Sequence, residues 1–193
     1  MGGVRIIGLS GPIAAGKTTL AKYLQRTRGW RIYSCSETIG LMINKGLFLD
    51  QFPEIQKYIG SERREDYLAL GKELRSKYGN DIIVELTIRR AIADGSKKII
   101  IDGVRGVSEI KKIQEYDGIV VYLDAPVEIL YERFKNRKKK IDEGDKSFER
   151  FISLYEQEDR DFGILESKKF ADVVIKNDGN FDRLIRIVET LCI

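Results

Sequence analysis

Gly11, Gly16, Lys17 and Thr18 stand at the spacing GxxxxGK[ST], an arrangement that wraps backbone N–H groups round a chain of phosphates. Glycine at both ends lets the backbone take conformations closed to other residues. The amides of residues 11–19, those of Ala14, Ala15 and Thr19 included, then converge on phosphate oxygens, helped by the positive end of the following helix. Lys17 is placed to reach the β- and γ-phosphates, and Thr18 to give a hydroxyl to Mg²⁺. These residues point to binding of a nucleoside triphosphate. They do not say what accepts its phosphoryl group.

Two further sets could act on such a ligand. Asp102 and Arg105 follow the apolar run at 98–101. A carboxylate at the C-terminal end of a parallel strand faces the ligand crevice, where Asp102 would hold Mg²⁺ through its waters or polarise an acceptor. Arg105, on the same loop, is suited to a bidentate pair with an acceptor phosphate. Arg133 and Arg137 follow Pro126 at an i, i+4 spacing, which on a helix puts both on one face. Arg150 and Arg160 come later on a returning helical pattern. Phosphoryl transfer needs cations round the equatorial oxygens and needs water kept out, and a mobile arm bearing arginines supplies both. Lys138, Lys139 and Lys140 read singly as a solvated helix end.

The elements that must position these groups are legible as periodicities. Five apolar runs, 4–9, 31–34, 98–101, 118–123 and 172–175, lack clean alternation, as do strands buried on both faces. Helical patterns separate them, the signature of a parallel sheet between helices. Two gaps exceed a single crossover helix. The first, 36–96, carries helical patterns at 37–47, 61–78 and 81–94; the second, 126–160, passes a charged stretch and returns in a helix at 147–161. The expectation is one three-layer α/β/α domain over 1–193 with a five-stranded parallel sheet. Its core is 1–35, 97–125 and 161–193, with an acceptor-binding insert at about 36–96 and a lid at about 126–160.

Composition removes several chemistries. The 193 residues contain no histidine and two cysteines, Cys35 and Cys192, not in a CxxC pair, which argues against structural zinc and excludes a histidine base. A net charge of +4 suits a small anionic substrate and argues only weakly for nucleic acid; the basic run at 135–140 also lacks interleaved aromatics. No apolar run approaches the ~20 residues of a membrane span, and the N-terminus has no signal-peptide layout. The expected setting is cytoplasmic.

With these residues in view, the chain resembles the nucleoside-monophosphate-kinase-like group of P-loop kinases. Asp102 to Arg105 is similar to the adenylate kinase stretch that carries an acceptor-phosphate arginine, with one residue fewer between acid and arginine, and to phage deoxynucleoside monophosphate kinases. Asp124-Ala-Pro126 followed by Arg133 and Arg137 resembles the entry to the adenylate kinase lid; that resemblance implies that Arg133 stacks on the ATP base and Arg137 touches phosphates. The stretches 71–79, 101–110 and 171–177 resemble adenylate-kinase-related archaeal proteins often described as similar to dephospho-CoA kinase. The segment 171–179 resembles the end of dephospho-CoA kinases, which implies base contacts at Asn177 and Gly179.

Two family motifs are missing. Ser34-Cys-Ser-Glu37 stands where dephospho-CoA kinases carry an Asp-rich motif, and the Thr-Gly-Asp turn of adenylate kinases is absent. The resemblance implies that Ser36 and Glu37 flank the acceptor pocket, Glu37 meeting a sugar hydroxyl or base amino group or serving as early-turn helix charge. Arg63 or Arg64 would reach the acceptor phosphate or remain solvated. The implied activity is transfer from Mg²⁺-ATP to a nucleoside monophosphate or similar phosphorylated nucleotide. Dephospho-CoA is an alternative acceptor, and a nucleotide-dependent switch or NTPase acting on a partner is the alternative of another class.

Overall fold

The computed structural model describes residues 3–136 and 144–190. Five strands, β1 (Arg5–Ser10), β2 (Arg31–Ser34), β3 (Lys98–Asp102), β4 (Ile119–Asp124) and β5 (Val173–Lys176), form one sheet in the order β2-β3-β1-β4-β5, all parallel. Each strand is followed by helix: α1 (Lys17–Arg28), α2 (Cys35–Lys45), α3 (Arg64–Tyr78), α4 (Ile82–Ala93), α5 (Val107–Glu115), α6 (Val127–Lys135), α7 (Phe148–Phe162), α8 (Ile164–Ser167) and α9 (Phe181–Thr190). The expected three-layer α/β/α architecture is the one found.

Side-chain alternation along each strand divides the apolar residues between two cores. Ile6, Ile99 and Ile101 join buried residues of α2, α3, α4 and α5 on one face. Ile7, Leu9 and Ile100 join those of α1, α6, α7 and α9 on the other. Burial on both faces is why these runs show no alternation in the sequence.

The departures from expectation have local causes. The ladder runs one residue past the apolar runs at Ser10, Asp102, Asp124 and Lys176, because backbone pairing does not require an apolar side chain. Polar groups at the C-terminal edge are thereby held on rigid strand rather than loop. α2 begins at Cys35, directly after β2, and stops at Lys45 because Gly46 takes a left-handed conformation (φ 65°). α3 begins at Arg64 rather than 61, since the Ser61 hydroxyl donates to Asp66 (2.5 Å) and accepts from the Arg63 amide (3.2 Å), building a turn before the helix. The 3-10 turn Pro53–Tyr58 and the short helix α8 have no clear periodicity to betray them. α6 closes at Lys135 with Asn136 at its C-cap. Arg137 lies outside the described residues, so the shared helix face expected for it and Arg133 is not seen.

β2 and β5 are the sheet's edges, four residues each. α7 is fastened by aromatics: Phe151, fully buried, lies 5.5 Å from the Phe134 ring of α6, with Tyr131 at 5.6 Å and Tyr155 at 6.0 Å. Phe151→Ala is expected to cost about 3–5 kcal/mol by urea unfolding; a loss below ~1 kcal/mol would show that α7 contributes little to global stability.

Candidate functional site

The turn after β1 is shaped by what surrounds it. Gly11 has φ 126°, and a Cβ there would stand 2.3 Å from the Leu123 carbonyl oxygen of β4. Gly16 has φ 102°, and its Cβ would stand 2.7 Å from Asn177 Nδ2. Ala14, with φ 63°, is a non-glycine in the left-handed region, a cost of about 1–2 kcal/mol stored in the loop. Asn177, buried, donates from Nδ2 to the Ala15 carbonyl (2.8 Å) and from its amide to the Asp124 carbonyl (2.7 Å). It ties the loop after β5 to both the phosphate loop and β4. The Lys17 ammonium donates to the Gly11 and Pro12 carbonyls, the second at 2.8 Å. Thr18 and Thr19 are exposed in the first turn of α1, where helix amides lack intrahelical acceptors.

These features fit a triphosphate with Mg²⁺. The left-handed turn bends the backbone round a concavity, α1 points its positive end into it, and Lys17 already lies across its mouth. Asp102 pairs in register with Leu9 of β1 and with Ser34 of β2, on the strand beside the loop. Among the described residues no group of three or more His, Cys, Asp or Glu could hold a metal. Thr18 and Asp102 would thus hold Mg²⁺ only together with phosphate oxygens and water, as in P-loop sites.

Arg133 and Gly179 are brought together: Arg133 Nη2 donates to the Gly179 carbonyl (2.8 Å), and Nη1 is buried without a hydrogen-bond partner among the described residues. Burial lowers the guanidinium's pKa, and Asp178 opposes the shift. A cleft of about 360 Å³, lined by Asp124, Pro126, Lys176 and Asp178 among others, opens beside this loop.

On the other side of the phosphate loop, Arg105 follows β3. Its amide donates to Glu109 Oε2 (2.7 Å), and the other oxygen of Glu109 receives Arg75 Nη2 of α3 (3.5 Å). Glu109 is 2% exposed; burial pushes its carboxyl up, opposed by Arg75 and by Arg105. Both guanidinium groups face the Phe162 ring of α7, Arg105 at 4.8 Å and Arg75 at 5.5 Å from its centre. Two cations from separate elements thus meet at one aromatic ring, beside one buried carboxylate. Cys35 lies close by, its side chain 3.6 Å from where a Cβ on Gly103 would stand, and its thiol is pushed up to about 12, first by burial and then by Glu109.

The remaining expected residues are spread more widely. Ser36 is exposed, its hydroxyl 2.8 Å from that of Ser34. Glu37 pairs with Arg90 of α4 (3.1 Å), which also donates to Thr38 (3.3 Å) and lies over the Tyr33 ring. Glu37 and Arg90 line a groove of about 420 Å³ between α2 and α4. Arg63 is exposed, with loose ion pairs to Glu65 and Asp66 at 3.9 and 4.0 Å, pairs of the kind that contribute little. Sequence reasoning missed Arg75, Glu109 and Phe162. Glu109 carried a signal: on α5 it shares the buried stripe with Ile110 and Ile113, and a carboxylate on an apolar stripe requires a partner.

Asn177→Ala is expected to weaken triphosphate binding and to lower stability by about 1–3 kcal/mol, since it orphans the Ala15 carbonyl; calorimetric titration and urea unfolding read the two effects. In a Cys192→Ser background, Cys35 should resist thiol reagents at pH 8.5 until the chain unfolds. The unfolded thiol ionises near 9 while the folded one holds its proton to about 12. The contribution of Cys35 to stability is therefore complete below pH 9 and is lost as pH rises towards 12, at about 1.4 kcal/mol per unit. Unfolding of this chain and of its Cys35→Ser form, compared across that range, isolates the loss.

The comparisons with known proteins agree with this geometry. A UPF0200 protein of the archaeon Saccharolobus islandicus is 27% identical over 189 residues, 96% of this chain and 91% of that one. Among solved structures, TT1252 from Thermus thermophilus matches with TM-score 0.60 at 19% identity, covering 98% of this chain and 97% of that one. A shikimate kinase from Bacteroides thetaiotaomicron matches with TM-score 0.58 at 19% identity, covering 98% and 99%. At such identity these two speak for the fold alone. A family model described as AAA domain, AAA_18, matches residues 7–152, a span that takes in the phosphate loop, Asp102, Arg105 and Arg133. The chain belongs to that AAA domain family and has the fold of the P-loop kinases.

Proposed function

We propose that this protein moves the γ-phosphoryl group of ATP onto the phosphate of a nucleoside monophosphate or a closely similar nucleotide. The observation that carries the reading is the pair Arg75 and Arg105, converging on Phe162 over Glu109 at the end of the strand beside the phosphate loop. Two guanidinium groups set in different elements suit a doubly charged phosphate monoester. Arg105 follows β3, next to the strand that feeds the loop, so an acceptor held there faces the triphosphate across the crevice at the carboxyl ends of the strands.

In this reading residues 11–19 cradle the triphosphate, and Lys17 exchanges the Gly11 and Pro12 carbonyls for phosphate oxygens. Thr18 and Asp102 hold Mg²⁺, whose part when bound is to neutralise charge on the β- and γ-phosphates. Arg133, Asn177 and Gly179 form the base side, Arg133 by its face and Asn177 by fixing the loop. Residues 36–96 form the acceptor insert, with Ser36, Glu37 and Arg63 towards its opening. Residues 126–160 form the lid, to which Arg137 belongs by its position in the sequence. No covalent intermediate is required, because positioning and charge stabilisation supply the catalysis.

ADP release from Mg²⁺-ATP, measured against AMP, CMP, UMP, GMP, their deoxy forms and dephospho-CoA, tests the proposal. One nucleoside monophosphate should stimulate the rate strongly. Lys17→Ala should abolish the stimulation, and Arg75→Ala or Arg105→Ala should each cut kcat/KM by ~10²-fold or more. Stimulation by dephospho-CoA alone would move the activity to a sugar hydroxyl. Binding of ATP with no acceptor response would favour a nucleotide-dependent switch.

A further inference from the structure

Arg105 already faces an anionic group of the protein itself. Glu158 of α7 places Oε1 4.0 Å from Arg105 Nη1, and its Oε2 is buried with no hydrogen-bond partner among the described residues. One helical turn further on, and so on the same side of α7, stands Phe162, whose ring meets both guanidinium groups. The Phe162 carbonyl oxygen would lie 3.0 Å from a Cβ on Gly106, so any larger residue at 106 would press the helix away. Charge, ring and backbone thus seat the end of α7 on the Arg105 loop. The seat is only half satisfied. The ion pair is long, one carboxylate oxygen is unmet, and Arg75 Nε is buried without a hydrogen-bond partner among the described residues. An unmet donor and an unmet acceptor on the groups round Phe162 are what a displaceable internal anion leaves, since buried polar atoms are otherwise almost always paired.

The charges decide which ligand can take its place. Arg75 and Arg105 bring two positive charges; Glu109 and Glu158 bring two negative ones. A ligand carboxylate offers the pair only what Glu158 offers already, and Glu158 is tethered, which gives it a high effective concentration. A phosphate monoester brings up to two charges and three acceptor oxygens and can engage both guanidinium forks. We infer that Glu158 is an internal occupant of the Arg105 side of this site: it sets a threshold that every ligand anion must exceed, which a phosphate monoester dianion passes and a lone carboxylate does not. The inference rests on the acceptor reading of that site. It assigns control of the site to a residue on a different element from the arginines.

Glu158→Gln keeps the shape and removes the charge, and Glu158→Ala removes both. The affinities to compare are those of AMP and of the same nucleoside carrying a 5′-carboxylate, by calorimetry in wild type and in both variants. The wild type should bind AMP and reject the carboxylate. Both variants should bind both ligands more tightly, each by up to about fivefold, the worth of one partly exposed ion pair. Affinities for both ligands unchanged in both variants, with AMP still bound, overturn the inference and leave the kinase reading intact. If no nucleoside monophosphate binds or is phosphorylated, that reading falls first, and hydrogen exchange across Phe148–Phe162 decides the inference by itself. Inorganic phosphate, but not acetate, should then speed exchange at the C-terminal end of α7 in the wild type, and Glu158→Gln should show the faster exchange without any ligand. Equal exchange in all these states would rule Glu158 out as an internal occupant.

Discussion

The chain leaving β1 has almost no room. A Cβ at residue 11 would collide with the Leu123 carbonyl of the neighbouring strand, so the backbone must turn there in a conformation that only glycine takes at low cost. That turn sets the direction of residues 12–16, which Asn177 then fixes from the far side by its bond to Ala15. The loop is thus pinned by β4 at its start and by the segment after β5 near its end. Because the Asn177 backbone amide also bonds the Asp124 carbonyl, the phosphate loop, β4 and β5 register with one another through one residue. The left-handed Ala14 is tolerable because both ends of the loop are held.

On the Arg105 side of the phosphate loop a single buried carboxylate has the corresponding part. Glu109 takes a backbone amide from the Arg105 loop and a guanidinium from α3, so the two arginines are placed relative to each other through it. A buried ionised group is costly unless paired and hydrogen-bonded, and here both oxygens are met. The arrangement is preorganised: the two cations are gathered by the fold itself, through Glu109 and Phe162.

The sheet and the phosphate loop were legible because each is local. Apolar runs such as 98–101 and 118–123 report strands buried on both faces, and the loop's glycines and Lys17 sit within eight residues of one another. The arginine cluster was not, because Arg75, Arg105, Glu109 and Phe162 come from α3, the β3 loop, α5 and α7. In sequence each looks like one more charge or aromatic among many. Only Arg105 was found, through its closeness to Asp102. Helix ends were misjudged where a side chain, such as the Ser61 hydroxyl on Asp66, builds a turn that periodicity does not register. Asn177, read as a base contact from family resemblance, also has its side chain bonded to the Ala15 carbonyl of the phosphate loop, a contact between distant segments that the sequence does not display.

The edges of the sheet have a bearing on the protein's behaviour in a crowded solution. An exposed strand edge is a template for pairing with another chain, and natural proteins blunt it with short strands, charge and cover. Here both edge strands are four residues long. β2 opens with exposed Arg31, while its Tyr33 is capped by Ser96 and overlain by Arg90; β5 carries exposed Lys176 at its end. Neither presents the long, flat, apolar ladder on which intermolecular sheets grow. An apolar sheet of this kind can therefore be kept at high concentration without the molecules adding to one another edge to edge.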